Sequence, residues 1–186
     1  MPKTEASINI QNVVATATLN QKVDLHAVVK RYPDVEYRPE RFPGLVFRLK
    51  RPKTATLIFS TGKMVCTGAK SEKESSSAIM KVVEELKKGG IVVLSKPSVK
   101  VENIVASASL SGKVELEKMA VTLRKAMYEP EQFPGLIYRM DEPKVVILVF
   151  ASGRLVVTGA KKEREVYEAV HRLRGSLEEQ NLIFYE

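Results

Sequence analysis

The 186-residue chain is poor in the side chains that most enzymes use for chemistry: one cysteine, Cys66, and two histidines, His26 and His171. A lone cysteine cannot close an internal disulfide, and with no second cysteine or nearby histidine it cannot build a zinc site. On a strand beside Val65 it is expected to be a small buried apolar residue. The histidines fall on expected helices without a partner serine or cysteine and without metal-ligand spacing, which leaves them surface or helix-packing roles. No GxxxxGK(S/T) phosphate loop is present, because Thr61-Gly62-Lys63-Met64 lacks both the first glycine and the final hydroxyl. No catalytic residue, metal or cofactor is therefore expected. No apolar run is long enough to span a membrane and no charged-then-apolar segment opens the chain, so a soluble, cytoplasmic protein is expected.

What is present is ordinary in amount and unusual in arrangement. With 44% apolar and 28% charged residues the chain can bury a sizeable core. Its net charge of +8 points to an acidic partner, nucleic acid ahead of membrane because no amphipathic basic helix stands out. Residues 1–91 carry 16 Lys+Arg against 9 Asp+Glu, a net +7, and residues 92–186 carry 14 against 13, a net +1.

The sequence is written twice. "RFPGLVFRL" at Arg41 returns as "QFPGLIYRM" at Gln132, 91 residues on, and the spacing holds without a gap. Asn12-Val13-Val14-Ala15 matches Asn103-Ile104-Val105-Ala106, and "VCTGAK" from Val65 matches "VVTGAK" from Val156. From Phe42 to Lys70, 15 of 29 positions equal their partners, where unrelated segments would share roughly two. A period this long lies outside the solenoid range, so each copy is a domain-sized half, residues 1–98 and 99–186.

Each half repeats one order of elements. Long β-branched strands, "INIQNVVATATL" and "VENIVASASL", precede helices starting at Asp24 and Glu115. Three closely spaced strands follow, "LVFRL", "TATLIFS" and "KMVCTG" in the first copy, and a helix closes each half. The first closing helix has capping-box spacing at Ser71 and Glu74, an apolar face of Ile79, Val82, Val83 and Leu86, and a stop at Gly89-Gly90. A short extended piece around "VEY" adds a fifth strand to each copy. The fold class is α+β, a mostly antiparallel sheet with helices for one face only.

Strand residues alternate between faces. Ile58, Met64 and Cys66 take one face; Leu57, Phe59, Lys63, Val65 and Thr67 take the other. Both are fairly apolar, which leaves two alternatives: a two-sided sandwich, or an exposed apolar sheet acting as a binding surface. Asn12, Val14 and Thr16 share a strand face, and a sandwich would have to satisfy these polar groups internally.

In these motifs, "QNVVAT" and "ENIVAS", then "FPGL", "LIF"/"LVF", "SGR" and "TGAK", each in order, the chain from about Ile8 to Leu182 resembles the TATA-box-binding proteins in their short archaeal form. The resemblance implies a saddle-shaped, internally duplicated, ten-stranded curved antiparallel sheet with helices on the convex face and an underside seated in the DNA minor groove. It implies that Phe42 with Phe59, and Phe133 with Phe150, wedge between base steps. It assigns Asn12 and Asn103 to central amide contacts and Thr67 and Thr158 to hydroxyl contacts. Val14, Val105, Val65, Val156, Leu57 and Leu148 become an apolar lining that clashes with a guanine amino group. Arg48, Lys53 and Lys63, with Arg139, Lys144 and Arg154, match phosphate contacts. Glu129, Glu131 and Gln132 match the loop that docks transcription factor B. The implied function is transcription initiation: binding and bending an A·T-rich promoter and recruiting transcription factor B and RNA polymerase. One position departs from the pattern. Gln11 has Glu102 as its partner, and because a carboxylate beside phosphates is unfavourable no DNA contact is carried to Glu102. Two other readings compete. A single-strand or RNA binder would use the phenylalanines as stacking platforms, though no "KGFGFVxF" signature is present. A protein scaffold would use the sheet as an interface and show no salt-sensitive DNA binding.

Overall fold

The structure, a computed structural model, describes residues 5–186. These form two compact units, residues 12–102 and residues 103–186, the latter grouped with the start of the chain up to Gln11. The first unit takes strand β1 (Ser7–Thr18) from Asn12 onward, helix α1 (Leu25–Arg31), strands β2 (Leu45–Lys50), β3 (Lys53–Ile58) and β4 (Lys63–Ala69), and helix α2 (Glu72–Lys88). Its strands are antiparallel in the order β2-β3-β4-β1. The second unit repeats the scheme: β5 (Lys100–Ser109), β6 (Lys113–Val114), α3 (Leu116–Thr122), β7 (Ala126–Tyr128), β8 (Leu136–Met140), β9 (Val145–Val149), β10 (Arg154–Ala160), α4 (Glu163–Glu179) and β11 (Ile183–Phe184). Its sheet order is β5-β10-β9-β8-β7, and β11 pairs with β6 as a separate ribbon.

The period of two in the strands meets the period of 3.6 in the helices on one face. In the first unit Ala15, Leu45, Phe47, Ile58, Met64 and Cys66 are buried against Ala78, Ile79, Val82, Val83 and Leu86 of α2. Each large aliphatic side chain taken fully out of water there contributes about 1.5–3 kcal/mol. The helix begins where Ser71 Oγ accepts from Glu74 N–H at 2.9 Å and stops at Gly89, with Lys87 and Lys88 in the last turn against the negative end of its dipole. Cys66 is wholly buried, and burial pushes its thiol pKa up, away from the reactive thiolate. In the second unit Ile104, Ala106, Ile147, Leu155 and Val157 are buried on the equivalent face, as are Val166, Ala169, Val170 and Leu173 of α4.

The copies differ in two places. The fifth strand forms in the second copy, where Met127 pairs with Ile137 and Tyr128 with Leu136. In the first copy it contracts to a single bridge between Glu36 and Val46. The second difference follows from one side chain. After α4 the chain runs as β11 beside β6, pairing Ile183 with Val114 and Phe184 with Lys113. A Cβ on Gly112 would stand 2.8 Å from Tyr185 and 3.0 Å from Ile183, so only glycine admits this approach. The matching residue in the first copy is Gln21, whose Nε2 donates to the Val92 carbonyl while its Oε1 accepts from Leu94 N–H. A side-chain amide thus takes the place of a strand, and Val92 is 71% exposed where its counterpart Ile183 is 8% exposed.

Replacing Gly112 by glutamine should push β11 off β6, expose Ile183 and lower stability by about 1–3 kcal/mol. Chemical denaturation measures this, and an unchanged midpoint would show that the ribbon does not depend on the missing side chain.

Candidate nucleic-acid interface

The face of each unit opposite its helices is apolar and uncovered. In the first unit Leu57 lies opposite Val65, Ala55 opposite Thr67, and Thr16 opposite Val65. Asn12, Val14, Leu57, Val65 and Thr67 are all half-buried, as alternation requires once Val13, Ala15, Ile58, Met64 and Cys66 have turned to the helices. The second unit repeats this with Val156 opposite Leu148 and Thr158 opposite Val105; Asn103, Val105, Leu148, Val156 and Thr158 are again half-buried.

Polar groups on this face are fixed in a defined orientation. Strand β4 carries one extra residue against β1: Val13 pairs with Ala69 and Ala15 with Cys66, leaving Thr67 and Gly68 opposite a single residue. Gly68 sits at φ +99°, a conformation glycine adopts without strain, and its N–H donates to Asn12 Oδ1 at 2.7 Å. A backbone N–H can only donate, so the amide atom facing it is the oxygen and the other is the NH2 group. Asn12 Nδ2 donates one hydrogen to Thr67 Oγ1 at 3.1 Å and has no second acceptor among the described residues. The second copy repeats the bulge at Gly159, whose N–H donates to Asn103 Oδ1 at 2.7 Å, with Asn103 Nδ2 3.4 Å from Thr158 Oγ1. Each copy therefore holds an outward N–H donor in an apolar setting.

The four phenylalanines of the repeated motifs meet in two pairs. Phe42 and Phe59 meet edge to face with centroids 5.8 Å apart, and Phe133 and Phe150 do the same at 5.9 Å. Phe42 is 43% and Phe133 38% exposed. The tripeptide Phe-Pro-Gly owes its glycine to this pairing: a Cβ on Gly44 would lie 2.7 Å from Phe42 and 3.0 Å from Phe59, and one on Gly135 would lie 2.8 Å from Phe133 and 3.0 Å from Phe150. The glycine is the seat on which the two rings rest. The turn before it bends back on one carbonyl. Gln132 and Phe133 N–H both donate to Glu129 C=O, as Arg41 and Phe42 N–H do to Arg38 C=O. Glu129, Glu131 and Gln132 are exposed on that turn.

Arg48, Lys53, Lys63, Arg139, Lys144 and Arg154 are all exposed, and among the described residues the ion pair found for these six is the loose contact of Arg48 with Glu36 at 3.8 Å. The structure adds cations that the motifs did not single out. Arg139 and Lys144 line a groove of about 950 Å³ together with Lys125, Lys161 and Lys162, against the carboxylates Asp141 and Glu165. The signal for Lys161 was in view, since it ends the repeated "TGAK"; Lys125 comes from the loop before β7, and only folding brings it there. His26 packs edge to face on Tyr37, a helix-packing role. Among the described residues no group of three or more His, Cys, Asp or Glu could hold a metal ion, and no helix is long and apolar enough to cross a membrane.

An apolar sheet face with outward donors, exposed aromatic pairs and a rim of cations defines a binding protein. The comparisons with known proteins agree with that class. A family model described as "Transcription factor TFIID (or TATA-binding protein, TBP)" matches twice, over residues 7–89 and 98–180. The chain is 56% identical over 165 residues to the TATA-box-binding protein of Pyrodictium occultum, covering 89% of this chain and 83% of that one. It is 54% identical over 169 residues to that of Sulfolobus acidocaldarius, covering 91% and 86%. The solved structure of Methanococcus jannaschii TBP superposes with a TM-score of 0.84 at 46% identity, covering 93% of this chain and 99% of that one. The chain belongs to the TATA-box-binding protein family, a family of DNA-binding transcription factors and not of enzymes.

Proposed function

We propose that the open faces bind A·T-rich, TATA-box promoter DNA through its minor groove, that the phenylalanine pairs wedge between base steps and bend the duplex, and that the bound protein recruits transcription factor B and RNA polymerase. The observation that carries the sequence preference is the orientation of Asn12 and Asn103. An A·T pair shows the minor groove only acceptors, adenine N3 and thymine O2, and each asparagine offers a donor whose direction is held by a glycine N–H. Around them Val14, Leu57 and Val65, with Val105, Leu148 and Val156, leave no acceptor for a guanine amino group. Thr67 and Thr158 hydroxyls add adaptable contacts, and Arg48, Lys53, Lys63, Arg139, Lys144 and Arg154 suit phosphates.

The ring geometry favours a duplex over a single strand. A stacking platform needs ring faces free for successive bases, whereas in each pair the rings meet at about 70° with one edge against the other's face. A wedge needs an apolar body braced from behind, which the partner ring and the glycine seat supply. The acidic turn Glu129–Gln132 is unsuited to phosphates and suited to a basic patch on a protein partner, which is the role proposed for it toward transcription factor B.

Three experiments test these assignments. Binding to A·T-rich and G·C-rich duplexes over a salt series separates readout from attraction. Asn12→Asp keeps the acceptor for Gly68 N–H but removes the outward donor, so the gap between the duplexes should narrow by about 1–3 kcal/mol; Arg48→Ala should weaken both duplexes alike and reduce the salt slope by about one unit. If Asn12→Asp left discrimination intact, the asparagine would not face base edges. Fluorescence energy transfer across a labelled duplex tests the wedges: Phe133→Ala, and Gly135→Ala through the displaced rings, should reduce bending and leave the salt slope near its original value. An unchanged end-to-end distance in both bound variants would remove the wedge role. Reversing the turn with Glu129→Arg and Glu131→Arg should keep or strengthen DNA binding and abolish the ternary complex with transcription factor B in a mobility-shift assay; a normal ternary band would take the turn out of that interface.

A further inference from the structure

Glu102 is the place where the duplicated face changes its hydrogen-bonding character. Its counterpart 91 residues earlier is Gln11, an amide that can donate as well as accept. Gln11 Nε2 donates to Ser107 Oγ at 2.8 Å. The matching bond in the first unit runs the other way: Thr16, the counterpart of Ser107, donates its hydroxyl to Glu102 Oε1 at 2.9 Å. Thr16 lies on the open face with Asn12 and Val14, so this bond draws the carboxylate to that face. Lys100 Nζ stands 3.7 Å from Glu102 Oε1 and offsets part of its charge, so that a ligand meets acceptor lone pairs more than net charge.

An ionised carboxylate only accepts. Opposite an A·T pair it would face further acceptors, adenine N3 and thymine O2, and nothing there could donate to it. Opposite a G·C pair it would find the guanine 2-amino group, the one donor the minor groove contains. The apolar side chains elsewhere on the face disfavour that amino group; Glu102 accepts from it.

We infer that Glu102 is a specificity-determining residue that makes one position of an otherwise A·T-selective site tolerant of G·C, and so gives the bound sequence a direction that the duplicated face would lack. The inference rests on the proposed minor-groove binding. It separates Glu102 from the phosphates, where a carboxylate is unfavourable, and places it against a base edge.

The test is a scan in which a single G·C pair is stepped through an A·T-rich duplex and binding is measured for the full chain, for Glu102→Gln and for Gln11→Glu. Glutamine at 102 can still accept from Thr16 and glutamate at 11 is similar in size, so both variants should fold, which thermal melting checks. The unaltered chain should show one position at which G·C is penalised at least about 5-fold less than at its mirror position. Glu102→Gln should lose that tolerance and bind the unbroken A·T duplex more tightly, and Gln11→Glu should create a tolerated position at the mirror site. Superimposable profiles for the unaltered chain and Glu102→Gln would overturn the inference. A profile with no A·T preference at any position would overturn the minor-groove reading beneath it, and the two failures are told apart by that preference alone.

Discussion

A backbone N–H has no option but to donate, and the character of the open face follows from where two such groups point. The bulges at Gly68 and Gly159 turn one N–H each toward an asparagine 56 residues away in sequence, and the amides must answer with their oxygens. Their NH2 groups are thereby committed outward. An asparagine free on a strand surface would flip between donor and acceptor and read nothing; this one is clamped. The strand that carries the bulge also carries Thr67 or Thr158 next to it, so one local irregularity orients both polar side chains of each copy.

The two copies keep what the face needs and vary what lies around it. The Phe-Pro-Gly seats, the bulge glycines and the clamped asparagines recur with nearly the same distances in both units. The hidden side is freer. Thr54, Thr56 and Cys66 of the first core stand where the second has Val145, Ile147 and Val157. Thr54 Oγ1 donates to the Pro52 carbonyl at 3.2 Å, whereas Thr56 Oγ1 is buried with no hydrogen-bond partner among the described residues, a polar cost that the second copy avoids with Ile147. At the periphery a single exchange, Gly112 for Gln21, decides whether the post-helix segment closes a ribbon or is held off by an amide. Duplication therefore makes an internal control: each difference in sequence can be matched to a difference in structure against a constant background.

That control also explains what could be read in advance. Alternation in "TATLIFS" and "KMVCTG" separated the helix-covered face from the open one, because a period of two survives any smooth twist. Helix ends at Ser71 and Gly89 were legible from local chemistry. The bulge was not, since an added residue shifts the register by one and leaves the composition unchanged; without it the acceptor role of the asparagine oxygens was invisible. The strand around Val35-Glu36-Tyr37 read the same in both copies; it forms as β7 in the second and shrinks to one bridge in the first, because propensity over so short a segment does not decide whether an edge pairs. The groove with Lys125, Lys161 and Lys162 was hidden for another reason: its cations come from separate segments, and sequence spacing carries no information about their convergence. Thr16 and Glu102 are 86 residues apart and met for the same reason.

The unequal charge of the halves acquires a location. The six cations proposed for phosphates are balanced three to three, so the excess of the first copy lies elsewhere. Arg38 and Arg41 of its turn correspond to Glu129 and Gln132 in the second, and Lys50 and Arg51 of its hairpin correspond to Asp141 and Glu142. These four exchanges alone shift the charge by seven, more than the difference of six between the halves. Arg38, Arg41 and Arg51 sit on loops and Lys50 ends β2 at its hairpin, all four exposed, where charge changes cost the core nothing. On the proposed reading, the symmetric face supplies contact that is equal in both halves, and the asymmetric rim supplies a field that is not. On the same reading a duplex arriving from solution would be drawn first by the first copy's loops, an effect that fades beyond about 10 Å in moderate salt. The second copy's loops, with little attraction for phosphate, would then remain available to the basic protein partner proposed for them.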